Sequence, residues 1–165
     1  MSSKVIPVFV GGTGRSGTTV IGDLLGNHSK IRTSTPIEIK FLTNKSGLVD
    51  VVFGFSSEIE KSAGKVSILN FRTYRKRKQK EKERFSKILA EFNKFIWEKW
   101  WDIDAPPPHG RGLISGFEKT DLENLLKRLE RDLKINRKWA ARRFMATFIS
   151  KQFDAGDEIY WVETT

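Results

Sequence analysis

Apolar residues fall along this chain in two rhythms. Val5-Ile6-Pro7-Val8-Phe9-Val10 is a short, β-branched, almost wholly apolar run. That is the pattern of a strand buried in a parallel sheet, with Pro7 tolerable only near its start or at an edge. The run stops at Gly11-Gly12, and from Thr18 the residues Val20, Ile21, Leu24 and Leu25 recur at helical spacing until Gly26-Asn27 closes the segment as a C-terminal cap would. Ile31-Arg32-Thr33-Ser34 reads as a second strand, and Thr35-Pro36 turns the chain. Ile37 to Phe41 then alternates or begins a helix, and a further apolar stretch runs from Val49 until Gly54, Ser56 and Ser57 end it.

The middle of the chain changes to a helical period. Phe85, Ile88, Leu89, Phe92, Ile96 and Trp100 form one stripe, which predicts an amphipathic helix over roughly 78–101. Asp104 to Gly112, with three consecutive prolines, forbids helix and central strand alike and predicts a loop. Thr120 with Glu123 makes a capping box ahead of Leu122, Leu125, Leu126, Leu129 and Leu133. Asn136 caps a further helix that carries Trp139, Phe144, Phe148 and Ile149, and Ile159 to Val162 is a closing strand after Asp154-Ala155-Gly156-Asp157.

Strand, glycine loop, helix, then strand again predicts an α/β fold in one domain over 1–165, with a short central parallel sheet and a large helical insert at about 74–153. A parallel sheet needs a helix after each strand, yet only three residues follow Val162. The expectation is therefore the N-terminal portion of a longer domain, incomplete at its C-terminus.

Composition narrows the chemistry. The 165 residues contain no Cys and 2 His, which excludes a disulfide framework, a thiolate metal site and a cysteine nucleophile. There is no signal-peptide core and no apolar run near the ~20 residues of a membrane helix, so the expected placement is cytoplasmic. The net charge is +10, but it is uneven: residues 72–103 hold 11 basic and 5 acidic side chains, against 11 and 10 over residues 104–165. Arg72, Arg75, Lys76, Arg77, Lys78, Lys80, Lys82 and Arg84, with Glu81 and Glu83, account for that excess. Such a run serves as a solvated face, or holds nucleic acid, an anionic polysaccharide or an acidic lipid surface.

The segment Gly12-Thr13-Gly14-Arg15-Ser16-Gly17-Thr18-Thr19 lies where an anion site belongs, between a strand and a helix N-terminus. It fits the spacing of a nucleotide-hydrolysing glycine loop, except that Thr18 stands in place of Lys. Glycines and the helix's unsatisfied N–H donors can cradle a phosphate or sulfate without metal. Arg15 supplies a cation whose planar fork suits two oxygens of one tetrahedral anion, and Ser16, Thr18 and Thr19 add hydroxyl donors.

From Val8 to Phe41, through Gly-Asn-His-Ser-Lys-Ile and Pro-Ile-Glu-Ile-Lys-Phe, the chain resembles the N-terminal region of sulfotransferases that use 3′-phosphoadenosine 5′-phosphosulfate. The resemblance is nearest to bacterial carbohydrate-type members and more distant to tyrosylprotein sulfotransferases, and Tyr160-Trp161-Val162-Glu163-Thr164-Thr165 supports it again. It implies a three-layer fold of the phosphate-loop kind, with Gly14, Arg15, Ser16, Gly17, Thr18 and Thr19 as the 5′-phosphosulfate loop and Glu38 as catalytic base. It implies that phosphosulfate donor as co-substrate, no metal, and a hydroxyl or amine acceptor such as a carbohydrate. The Arg and Ser that grip the donor's 3′-phosphate in that family would lie beyond Thr165, and Thr164 stands where many relatives carry Lys. Sulfuryl transfer, by analogy with phosphoryl transfer, needs positioning and charge stabilisation more than covalent catalysis. Arg15 can then neutralise the bridging oxygen and Glu38 can take the acceptor's proton, with Lys40 as a possible accessory that tunes it.

Two other readings compete. A kinase or nucleotide hydrolase is disfavoured by Thr18 and by the lack of an apolar strand ending in a magnesium-binding Asp. A non-enzymatic nucleic-acid or polyanion module would rest on the 72–84 run and on Trp97, Trp100 and Trp101, whose helical spacing points instead to core packing. His28, just past the first helix, reads as structural, and His109 as exposed and uninformative.

Overall fold

The computed structural model describes residues 5–36, 38–53, 71–103, 112–152 and 159–164. Three strands, β1 (Ile6–Val10), β2 (Ile31–Thr33) and β3 (Tyr160–Thr164), form a parallel sheet in the order β1-β3-β2. Val8 and Thr33 both pair with Val162, so β3 is central and the two earlier strands flank it. Five α-helices are described: α1 (Thr18–Gly26), α2 (Leu48–Phe53), α3 (Phe71–Phe95), α4 (Lys119–Leu133) and α5 (Arg137–Lys151). A π-helical turn at Ile96–Trp100 continues α3, and a 3₁₀ turn spans Gly112–Ser115.

Alternation along β3 assigns its two faces. Thr164, and with it Val162, faces α1; Trp161 and Glu163 face the helices. The approach of α1 is set by glycines: a Cβ at Gly22 would stand 2.7 Å from Thr164 Cγ2, and one at Gly26 would stand 2.8 Å from Thr33 Cγ2. On the other face Trp161 enters a core shared by Phe92 and Ile96, by Leu122, Leu125 and Leu129 of α4, and by Phe144 and Phe148 of α5.

The structure keeps the expected order of elements and moves some of their details. The strand at Ile6–Val10 was expected to be buried, but Ile6 and Phe9 are 42% and 60% exposed because β3 takes the centre and leaves β1 at an edge. Pro7 fits that edge, where its missing N–H costs little. In α1 the packed side is the glycine side, so Val20, Ile21 and Leu24 are exposed rather than buried. The stripe from Phe85 to Trp100 does face the core, yet α3 begins at Phe71, since Lys, Arg and Gln propagate a helix without apolar contacts.

The Thr120–Glu123 capping box does not form. Buried Phe117, stacked on Phe148 at 4.7 Å, anchors the chain so that α4 starts at Lys119 with Glu118 at its N-cap. Asn136 does cap α5, its side chain accepting from Trp139 N–H at 3.0 Å. Trp97, Trp100 and Trp101 are half-buried against the core, as their spacing predicts. Residues 38–47 form turns rather than a strand or helix. Ile37, the Gly54–Ser57 stop, the Asp104–Arg111 loop with His109, the Asp154–Asp157 turn and Thr165 lie outside the described residues.

Candidate functional site

A parallel sheet gathers the ends of all its strands on one edge, and here that edge holds the glycine loop, the segment after β2 and the end of β3. The loop between β1 and α1 is exposed from Gly11 to Gly17, with Thr18 and Thr19 half-buried at the start of α1. Arg15 and Gly17 both adopt left-handed backbone, with φ of 63° and 84°, while Gly14 and Ser16 between and before them do not. Alternating handedness is the backbone pattern of anion-binding nests. Ser16 N–H is spent on Thr13 O at 3.0 Å, which closes the turn. The amides of Gly14, Arg15 and Gly17 have no backbone acceptor among the described residues. The backbone need for glycine is at Gly17, for its φ; a Cβ at Gly12 would fall 2.2 Å from Ser16 Oγ, an exposed side-chain end that can turn away, and a Cβ at Gly14 would meet nothing within 4 Å.

The second part of the edge is a framed carboxylate. Glu38 is mostly enclosed, with 14% of its side chain exposed, and its Oε2 lies 2.5 Å from Lys40 Nζ. This contact is an ion pair rather than a directed hydrogen bond, since no donor among the described residues is aligned on that oxygen. Lys40 is half-exposed, so the pair connects an enclosed acid to solvent.

Two residues that the sequence reading gave no role hold this segment in place. Gln152, just past α5 and 4% exposed, brackets Thr35: its Oε1 accepts from Thr35 N–H at 3.2 Å and its Nε2 donates to Thr35 O at 2.7 Å. The same Oε1 accepts from Trp161 Nε1 at 2.8 Å, tying the exit of β2 to the central strand. Glu163, 1% exposed, accepts the Ile39 N–H at 3.2 Å. In sequence Glu163 directly follows the apolar run Ile159 to Val162 and reads as its polar end, and Gln152 carries no signal either.

Burial pushes the Glu163 carboxyl above its ordinary value of 4.5, the Ile39 N–H pulls it down, and the nearby Glu38 charge pushes it up further. The folded chain therefore holds this proton more tightly than the unfolded one. The stability contributed by Glu163 is fully present below pH ~4.5 and is lost as pH rises through the folded value. Glu163→Gln keeps an acceptor for Ile39 without the charge. Its stability relative to wild type should therefore rise between pH 4 and pH 7 in urea unfolding, and a constant difference would contradict a buried ionisable acid here.

Thr164 Oγ1 is buried without a hydrogen-bond partner among the described residues, under Gly22 of α1. His28 sits in the turn before β2, where its Nδ1 accepts from Lys30 N–H at 3.1 Å, consistent with a structural role. Among the described residues no three metal-ligating side chains converge, and no helix is long and apolar enough to cross a membrane.

The fold and site define an α/β protein with a small three-stranded parallel sheet, whose C-terminal edge carries an exposed glycine loop and two neighbouring carboxylates. No protein-family model, curated protein or solved structure matches this chain.

Proposed function

We propose that this chain is a sulfotransferase domain, or the donor-binding part of one, with a fold of the phosphate-loop kind. It would move a sulfuryl group from 3′-phosphoadenosine 5′-phosphosulfate to a hydroxyl or amine, such as that of a carbohydrate. The observation that supports this best is the pairing of two features on one sheet edge: a loop with left-handed Arg15 and Gly17 and unspent amides, and an enclosed Glu38. Gly14 to Thr19 would hold the sulfated 5′ end of the donor through N–H groups, hydroxyls and the α1 N-terminus. Arg15, unencumbered by any ion pair among the described residues, would neutralise charge on the departing bridging oxygen. Glu38 would accept the acceptor's proton, with Lys40 paired beside it to orient the carboxylate. The donor brings the transferable group; the chain supplies position and charge.

The test is calorimetric titration with 3′-phosphoadenosine 5′-phosphate, the desulfated product, beside ATP–magnesium. Binding of the desulfated product is expected, and Arg15→Ala should weaken it by roughly 10- to 100-fold, the value of a charge-assisted contact. Preference for ATP–magnesium would favour a phosphoryl-transfer enzyme, and equal affinity in Arg15→Ala would remove the loop from the site.

A further inference from the structure

The basic run at 72–84 has no part in the site above, and the structure gives it a partner surface. Arg75, Lys78 and Lys82 recur at helical spacing on α3 and line one wall of a groove of about 630 Å³. Lys134 at the end of α4 and Arg137 at the start of α5 line it with them, and Glu81 is the one acidic residue in its lining. Five cations from segments more than fifty residues apart in the chain converge there; a helix face that is merely solvated needs no such convergence.

The turn between α4 and α5 presents an apolar tip. Ile135 is 76% exposed, and it is held in that position: Ile135 N–H and Asn136 N–H both donate to Asp132 O, at 3.0 and 3.1 Å. A single exposed isoleucine is ordinary. Two exposed aromatics on and beside α5 each stand next to a cation as well. Trp139 is 47% exposed with the Arg143 guanidinium 5.1 Å from its ring, and Phe53 is 48% exposed with Lys138 Nζ 5.9 Å from its ring. Arg137 in turn lies 5.4 Å over the Phe85 ring on the groove wall. Acids offset part of this charge, since Glu130 pairs with Lys134 at 3.5 Å and buried Asp132 holds Arg143 at 2.9 Å.

Apolar side chains held out among Lys and Arg match a surface with an anionic face and a hydrocarbon layer beneath it. A nucleic acid or polysaccharide would use the cations but has no use for a projecting aliphatic tip. We propose that the α4–α5 turn and the facing stripe of α3 form a docking surface for an anionic lipid bilayer, with Ile135 entering the headgroup boundary. The surface shares no residue with the glycine loop, so it stands or falls independently of the sulfotransferase reading.

The test is co-sedimentation of the 165-residue chain with vesicles of phosphatidylcholine and phosphatidylglycerol, with pure phosphatidylcholine vesicles and heparin–agarose as comparisons. Binding to the mixed vesicles alone is expected, falling as salt rises. Ile135→Ser should lower partitioning about tenfold, the value of burying such a side chain. Lys82→Glu with Lys134→Glu should lower it by roughly 25-fold or more, at about fivefold per cation removed. All three positions are exposed, and circular dichroism would verify that the variants fold. No vesicle binding, equal binding to neutral vesicles, retention on heparin alone, or unchanged partitioning of Ile135→Ser would each overturn the proposal.

Discussion

Glu38→Gln should lower sulfuryl transfer by roughly 10²- to 10⁴-fold, the range for loss of a positioned general base, while leaving affinity for 3′-phosphoadenosine 5′-phosphate unchanged. The split follows from what the side chain does. Gln fills the same volume, and the backbone around it is fixed elsewhere: Ile39 N–H is held by Glu163, and Leu48 N–H closes on Phe41 O at 2.9 Å. The variant therefore keeps the loop and loses only a proton acceptor and the Lys40 ion pair. A transfer rate within about twofold of wild type would remove Glu38 from the chemistry, whereas a parallel fall in product affinity would recast it as a binding residue.

The largest structural effect is expected at Phe148. It is fully buried, and its ring meets Phe117 at 4.7 Å, Phe41 at 5.4 Å and Phe144 at 6.2 Å. Phe148→Ala should cost about 3–5 kcal/mol, because three rings lose a common neighbour and cannot all collapse into the space. Against a total of about 5–15 kcal/mol for an ordinary domain, that is a large fraction, and it should appear as a Tm lower by roughly 10 °C or more. Phe53→Ala, at an exposed position, should change stability by no more than about 0.5 kcal/mol and serves as the comparison. A loss under about 1 kcal/mol at Phe148 would mean that the aromatic cluster does not carry the core. Phe41 links this core to the site, since it stands three residues from Glu38 and packs directly on Phe148.

The elements came largely from local pattern. The alternation of apolar and glycine residues determined β1, the turn to α1 and the end of that helix, because those choices depend on neighbours a few residues apart. The stripe of α3 and the Asn136 cap were readable for the same reason, and so was the candidate loop, whose residue types are adjacent in sequence.

What sequence could not supply is every relation across a long separation. The insertion of β3 between β1 and β2, which turned an expected interior strand into an edge, depends on pairing residues about 150 positions apart. Gln152 reaches Thr35 across 117 positions and Glu163 reaches Ile39 across 124, so neither could be seen as part of a frame for Glu38. The same holds for the basic groove, where α3 meets the α4–α5 turn. Local propensity fixes which backbone shape a segment prefers, while burial and hydrogen-bond satisfaction are decided only when distant segments compete for the same interior.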